Sequence, residues 1–187
     1  PAPWLDGGPL PWRNWSGFQH CRPQLRLGPA SESELLEQLA RASAPIRPAG
    51  AGHSFSGLVP SDGSLLFLDG LSGIASVDAA NLQAEVWAGS RLGALGPALA
   101  AHGQAMPNLP DIDYQTLGGA IATSTHGTGV LLGSLSSCVV GLSIATPRGE
   151  LLDCDASRNA ELFHAARTSL GALGVVTRFR LQNQPTF

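Results

Sequence analysis

One twelve-residue segment, from Ile46 to Gly57, combines a glycine-rich turn with a single histidine. Gly50, Gly52 and Gly57 can take positive φ angles and let the chain turn tightly. Successive backbone amides in such a turn can all point inward and bind an anion, and His53 adds an imidazole in the middle of the turn. The segment therefore predicts either a loop that holds a phosphate-bearing cofactor and reacts with it, or a surface turn with an incidental histidine.

A second glycine-rich segment, from Asn108 to Gly129, brings together small residues and hydroxyl groups. The small residues let a ligand approach the backbone closely, and the hydroxyls can donate to phosphate oxygens. The candidate ligand contacts in this segment are Asn108, Thr116, Gly118, Gly119, Ala120, Thr123 and His126. The competing interpretation is a helix of small residues packed against a sheet, with Ser and Thr capping its ends. Two such loops, each with its own histidine, favour ligand binding over coincidence.

The composition is that of a compact globular chain: 43% of the 187 residues are apolar and 13% are charged. The net charge is −3 and no basic run occurs, so we do not expect a nucleic-acid partner. All 11 basic residues are arginines. The absence of lysine excludes a Schiff-base lysine and a Walker lysine, so a bound diphosphate must depend on backbone amides and helix N-termini.

The three cysteines, Cys21, Cys138 and Cys154, are too few and too scattered for a disulfide framework or a zinc site. We therefore expect reduced thiols and no metal site. No apolar run reaches membrane-spanning length and no signal peptide is visible, which favours the cytoplasm without fixing the localisation.

The hydrophobic patterning predicts an α+β fold in which a β-α-β unit precedes a region dominated by strands. A capping box from Ser31 to Glu34 opens the first helix, and Pro45 ends it. The other predicted helices cover residues 91–102 and 159–169, and the predicted strands cover residues 23–28, 46–48, 65–68, 74–77, 84–88, 138–145, 150–153 and 174–181. A Rossmann unit is the competing fold, but no G-x-G-x-x-G motif joins a strand to a helix.

These elements divide the chain into an irregular N-terminal arm (1–22) and one domain (23–187). The domain has two lobes, one covering about 23–77 and the other about 78–187. Trp4, Trp12 and Trp15 lie in the arm, and we expect them to pack on another part of the protein, beyond this chain.

The order of three motifs along the chain resembles one class of flavoprotein. The motifs are Pro48–Ser54 (PAGAGHS), Thr116–Ala120 with Thr125–Gly129 (TLGGA and THGTG), and Ser169–Thr177 (SLGALGVVT). Together they resemble the FAD-binding domain of the vanillyl-alcohol-oxidase superfamily, the PCMH type. Within that superfamily the sequence is most similar to sugar-1,4-lactone oxidases and alditol oxidases, and the resemblance covers residues 13 to 182.

This resemblance implies a two-lobed domain with a small β-α-β lobe and a larger, mainly antiparallel lobe with flanking helices. It implies FAD as the cofactor, with its pyrophosphate held by the main-chain amides of residues 49 to 54. It also implies that His53 bonds covalently to the flavin through the 8α-methyl carbon; free histidine is largely neutral near pH 7 and so can act as a nucleophile. The other implied FAD contacts are Pro48, Ala49, Gly50, Ala51, Gly52, Ser54, Asn108, Thr116, Gly118, Gly119, Ala120, Thr123, His126, Gly174, Val175 and Val176. For His126 a hydrogen bond that orders the loop is an equal alternative.

The implied function is oxidation of a primary or secondary alcohol of a sugar lactone or polyol. Hydride would pass to flavin N5 and then to O2 or another acceptor. Members of this superfamily carry a second domain with the substrate site and a His-Trp-Gly-Lys motif, which a chain without lysine cannot contain. We therefore expect the FAD half of a larger enzyme, with the substrate site and the catalytic residues outside this chain.

Two alternatives remain open. One is a stand-alone flavin-binding module or subunit with no catalysis of its own. The other is a reductase that resembles the cell-wall precursor reductase of the same superfamily and holds FAD without a covalent bond. His53 and the segment from Thr125 to Gly129 disfavour the reductase.

Overall fold

The structure, a computed structural model, describes residues 10–186. In chain order the strands and helices are β1 (Trp12–Arg13), β2 (His20–Cys21), β3 (Leu25–Leu27), α1 (Glu32–Arg41), β4 (Ile46–Pro48), β5 (Ser64–Leu66), β6 (Ile74–Asp78), β7 (Gln83–Trp87), α2 (Leu92–Ala100), β8 (Gln104–Ala105), α3 (Leu117–Ala122), a 3₁₀ helix (Leu135–Cys138), β9 (Val139–Ala145), β10 (Leu151–Asp155), α4 (Ala160–Ala166), β11 (Val175–Gln182) and β12 (Gln184–Pro185). No helix within this part of the chain is long and apolar enough to cross a bilayer.

The smaller sheet is parallel and has the strand order β3-β5-β4, with α1 as the crossover between β3 and β4. The capping box predicted for α1 is present. The Ser31 hydroxyl accepts a hydrogen bond from the Glu34 amide at 3.1 Å, and the Glu34 carboxylate accepts one from the Ala30 amide at 2.7 Å. The first bond satisfies an amide that the first helical turn leaves unpaired, and the second ties Glu34 to the residue before the N-cap Ser31, so the sequence signal and the local structure agree.

The larger sheet is antiparallel throughout and has the strand order β10-β9-β11-β7-β6. Helices α2, α3 and α4 supply Leu95, Ile121 and Phe163 to a core shared with Ile144 and Phe179 of the sheet. The predicted α+β class, with a small parallel sheet and a larger antiparallel sheet, is confirmed.

The change from the smaller to the larger sheet comes earlier in the chain than the predicted lobe boundary near residue 78. Strand β6 (Ile74–Asp78) forms a hairpin with β7 and pairs Asp78 with Gln83. A short hairpin keeps its two strands in one sheet, so β6 belongs to the larger sheet. The smaller sheet ends with β5 at Leu66.

A half-buried polar cluster joins the two sheets. Glu32, at the start of α1, accepts hydrogen bonds from the Thr177 hydroxyl at 2.6 Å and from Nε of Arg178 at 3.2 Å. Thr177 lies on β11 and is fully buried. The cluster therefore fixes α1 of the smaller sheet against the central strand of the larger one.

The N-terminal arm is ordered where the structure describes it, which differs from the prediction of an irregular segment. Strands β1 and β2 pair as a short hairpin, and Trp12 is buried against Ala49, Leu65 and Phe67 of this same chain. An indole buries a large apolar area, and the smaller sheet provides a surface for it. Trp4 lies outside the described residues.

Two helices end earlier than predicted, and each is followed by a short turn and then by a residue with a positive φ angle. Helix α2 ends at Ala100, three residues before Gly103 with φ +69°. Helix α4 ends at Ala166, ahead of Leu170 and Gly171 with φ +55° and +76°. Left-handed backbone cannot continue a right-handed helix, and at Leu170 and Gly171 it shapes the turn that reaches the site.

Candidate functional site

A cavity of about 440 Å³ lies between the two sheets. Its walls come from the loop after β4, from the start of α3, and from the turn between α4 and β11. These are the three segments that carry the glycine-rich motifs, so the fold brings together residues that are more than a hundred positions apart in sequence.

The loop after β4 presents a run of unpaired backbone amides to this cavity. The amide of Ala49 donates to Leu66 O at 2.8 Å and so belongs to the sheet, which differs from its expected role in pyrophosphate binding. The next five amides, Gly50 to Ser54, donate to no acceptor within residues 10–186. These N–H donors line the cavity and are available to an acceptor there, such as water or a bound anion. Gly52, with φ +73°, gives the loop its turn.

The first loop and helix α3 approach each other so closely that the loop needs glycine at position 50. A Cβ atom on Gly50 would collide with Oγ1 of Thr116 and lie 3.7 Å from Cα of Gly119. Thr116 is the N-cap of α3, and its hydroxyl accepts from the Gly119 amide at 3.2 Å. On the other side of α3, a Cβ on Gly118 would come within 3.1 Å of Ala88 O. The segment is thus both a packed helix of small residues and a wall of the cavity.

The turn between α4 and β11 forms the third wall of the cavity, and it also needs glycine where it packs closely on its neighbours. A Cβ on Gly171 would lie 2.8 Å from Cγ of Pro48, and one on Gly174, at φ +142°, would collide with Ala145 O. Val175 and Val176, which follow, line the cavity from the first residues of β11.

His53 lies in the cavity wall and stacks with two aromatic rings. Its centroid is 5.4 Å from that of Trp15, with 25° between the planes, and 6.5 Å from that of Tyr114, with 18° between the planes. Neither imidazole nitrogen of His53 hydrogen-bonds to another group within the described residues. A neutral imidazole in this setting keeps one nitrogen lone pair available for bonding.

Fourteen of the predicted site residues line the cavity: Pro48, Ala49, Gly50, Ala51, Gly52, His53, Ser54, Thr116, Gly118, Gly119, Thr123, Gly174, Val175 and Val176. The structure does not bring the other three to it. Ala120 is fully buried in the core, Asn108 uses its amide to hold Gly133 O at 3.1 Å, and the exposed His126 contacts Gly127 O at 2.9 Å. Asn108 and His126 thus order the loop, while Ala120 packs beneath it.

Sequence reasoning missed several residues in the cavity wall. They include Phe55, Ser56, Gln115 and Arg167. Gln115 stands out because its Oε1 atom is buried without a donor, while its Nε2 donates to Oγ1 of Thr125 at 3.1 Å. The only sequence signal for Gln115 was its place directly before the N-cap Thr116, which a pattern of glycines and hydroxyls overlooks.

The charges at the cavity suit an anionic ligand. Arg167 is the one arginine among the described residues that line it. The carboxylate of Asp69, also in the wall, pairs with Arg91 at 2.9 Å, which offsets its negative charge.

Within residues 10–186 no three His, Cys, Asp or Glu side chains are grouped as ligands for a metal ion. The three thiols are free, and burial raises the pKa of Cys138 and of Cys154.

Comparison with known families agrees with this geometry. Residues 23–155 match the FAD binding domain family, and the chain belongs to that family. The expected cofactor, FAD, is thereby confirmed, as is the resemblance to PCMH-type flavoproteins.

Several curated relatives are sugar-lactone enzymes. The chain is 40% identical over 179 residues to L-gulono-1,4-lactone dehydrogenase of Mycobacterium tuberculosis and 37% identical over 179 residues to L-gulonolactone oxidase of Bos taurus; each match covers 94% of this chain and 41% of the relative. It is 36% identical over 183 residues to D-arabinono-1,4-lactone oxidase of Eremothecium gossypii, covering 94% of this chain and 34% of the relative. The chain therefore spans about two fifths or less of the length of these proteins.

Proposed function

We propose that this chain is the FAD-binding part of an oxidoreductase that oxidises a hydroxyl group of a sugar lactone or polyol. The observation that carries the proposal is the run of five amides from Gly50 to Ser54 that line the cavity and donate to no acceptor within residues 10–186. The names of the relatives support a lactone as the substrate class, and their greater length supports a substrate site in a further domain.

The residues of the cavity fit the chemical parts of FAD. Backbone amides can hold a diphosphate without lysine because each N–H donates directly to a phosphate oxygen. The guanidinium of Arg167 adds a cation, and the buried Oε1 of Gln115 can accept from a hydroxyl or an N–H of the cofactor. Val175 and Val176 provide an apolar wall for a ring system. When bound, FAD supplies the two-electron acceptor for alcohol oxidation.

We further propose that His53 is the covalent ligand of the flavin, joined through an imidazole nitrogen to the 8α-methyl carbon. The net change replaces one imidazole N–H and one methyl C–H by a C–N bond, and the two hydrogens with their electrons reduce dioxygen to hydrogen peroxide. The support is the position of His53 in the cavity wall and the absence of a hydrogen-bond partner for its nitrogens within residues 10–186.

The apolar surface beside the cavity supports a further domain. The exposed fractions of Trp15, Phe55 and Tyr114 are 66%, 66% and 73%. A contiguous group of exposed aromatic rings is typical of a surface that another domain or protein covers. We infer that the part of the protein with the substrate site packs here.

Two measurements test the proposal. Calorimetry with this chain should show binding of FAD and not of NAD; tight binding of NAD would contradict it. For the covalent bond, the full-length holoprotein should be digested with trypsin and analysed by mass spectrometry. Because Pro48 follows Arg47, the peptide with His53 should run from Ala42 to Arg91 and carry the flavin mass. Complete release of the yellow colour on denaturation, or an adduct on His126, would contradict the role of His53.

A further inference from the structure

Two consecutive residues of the N-terminal hairpin are tied to the backbone on both sides of His53. The Trp15 amide donates to Gly52 O at 2.8 Å, and Nδ2 of Asn14 donates to Ser54 O at 2.9 Å. Gly52 and Ser54 are the immediate neighbours of His53 in the chain. The hairpin therefore fixes the backbone from which the imidazole projects.

Asn14 is itself held rigidly. Its side chain is buried, with 4% of the residue exposed, and its Oδ1 accepts from the Gln19 amide at 3.0 Å and from the Ser16 hydroxyl at 3.2 Å. The turn also packs directly on the loop, because a Cβ on Gly52 would lie 3.3 Å from Cα of Asn14. A buried amide side chain that is bonded at both its oxygen and its nitrogen is a fixed anchor rather than an adaptable contact.

The orientation of the imidazole ring depends on stacking rather than on a hydrogen bond. Histidines that act through one ring nitrogen are usually oriented by a hydrogen bond to the other nitrogen. For His53 no such partner exists within the described residues, while Trp15 and Tyr114 both lie at stacking distance. Offset stacks of aromatic rings at these separations are attractive and restrict rotation of the ring.

We propose that Trp15 and Tyr114 are positioning residues for His53, with Asn14 anchoring the turn that presents Trp15. The two rings hold the imidazole in one orientation, and this orientation sets how fast His53 bonds to the flavin. The second part rests on the covalent attachment proposed above; the first is a property of the protein alone. Misplacement of a reacting group by about 1 Å can slow a reaction by about a hundredfold, so loss of one ring is expected to slow attachment by at least about tenfold.

The first test needs no flavin. In a ¹H–¹³C spectrum the ring protons of His53, assigned with His53→Gln, should be shifted upfield by the ring currents of its neighbours. Trp15→Ala and Tyr114→Leu should each reduce this shift, and Trp15→Phe should retain part of it. Phe18→Ala is the matched control, because Phe18 lies in the same hairpin, is 79% exposed and does not stack with His53. An unchanged His53 signal in Trp15→Ala and Tyr114→Leu would overturn the proposal.

The second test measures attachment in the full-length protein by the mass of the peptide with His53 after timed incubation of apoprotein with FAD. We expect attachment to be at least about tenfold slower in Trp15→Ala than in the unmodified protein. Trp15→Phe should attach flavin faster than Trp15→Ala, and Phe18→Ala should attach it at the unmodified rate. Equal rates in all variants, together with a lost ring-current shift, would overturn the link between orientation and attachment. Absence of any adduct in the unmodified protein would refute the covalent bond, and the ring-current test would still decide the positioning of His53.

Discussion

Gly50 and Gly119 face each other where the first loop meets helix α3, and a Cβ on Gly50 would lie 3.7 Å from Cα of Gly119. This approach places the unpaired amides of the first loop beside the first turn of α3. The two glycines come from different lobes and are 69 positions apart in sequence. A side chain at Gly50 would collide with Oγ1 of Thr116 and push the loop away from α3.

Gly50→Val is therefore expected to abolish FAD binding, because its side chain would displace Thr116 and the loop. Isothermal calorimetry on the folded variant measures this directly. Gly96→Ala is the matched control: a Cβ at Gly96, in α2, would meet nothing within 4 Å, so binding should be unchanged. Arg47→Gln should also have little effect, because Arg47 is exposed and outside the cavity wall. A larger loss of affinity in Arg47→Gln than in Gly50→Val would contradict binding by the amides of the loop.

Gln115→Leu is expected to weaken FAD binding by about 1 to 3 kcal/mol, the usual effect of removing a partner from a buried hydrogen bond. The expectation rests on the buried Oε1 atom, which finds no donor within residues 10–186. Gln38→Leu is the control, because Gln38 also has a buried, unpartnered Oε1 but lies outside the cavity wall. Equal affinities of the Gln115 and Gln38 variants would show that Gln115 does not contact the cofactor.

The sequence predicted the parts of this molecule that follow from local chemistry. The capping box at Ser31, the glycine turn at Gly52 and the alternating strand β11 all depend on neighbouring residues, and all three are present. The family resemblance added the cofactor, which local patterns alone leave open.

The features that the sequence did not predict depend on contacts between residues that are distant in the chain. Trp12 packs on the smaller sheet, and Trp15 stacks on His53, although a proline- and glycine-rich arm gives no periodic signal for either. Gln115 enters the site through the packing of α3 rather than through any motif. Packing of α3 also explains why Ala120 does not reach the cavity, because only one face of a helix can line a wall.

Thr177→Val is expected to destabilise the fold by about 1 to 3 kcal/mol, because it removes the closest donor to a half-buried carboxylate oxygen of Glu32 and leaves Arg178 as the remaining partner. The Thr177 hydroxyl lies 2.6 Å from Glu32 and links α1 to the central strand of the larger sheet. Ser76→Ala removes a long, exposed hydrogen bond to Glu85 at 3.5 Å and should change the free energy of unfolding little. Denaturant unfolding of both variants gives the comparison. Similar changes in the free energy of unfolding for the two variants would mean that the Thr177–Glu32 hydrogen bond contributes no more than the exposed Ser76–Glu85 one.

Acid should weaken the fold through Asp155, at the end of β10. The hydroxyl and amide of Ser157 and the amide of Arg158 hold the pKa of this carboxyl at about 2, below its usual 3.8. Since the folded state lowers the pKa, the stabilisation is fully present above pH 3.8 and is lost as the pH falls through about 2. In Asp155→Asn the free energy of unfolding should depend less on pH across this range, and Ser157→Ala should show a smaller reduction of the same sign. Unfolding measured from about pH 5 down to about pH 2, the span around the two pKa values, checks this; identical pH profiles for Asp155→Asn and the unmodified chain would contradict it.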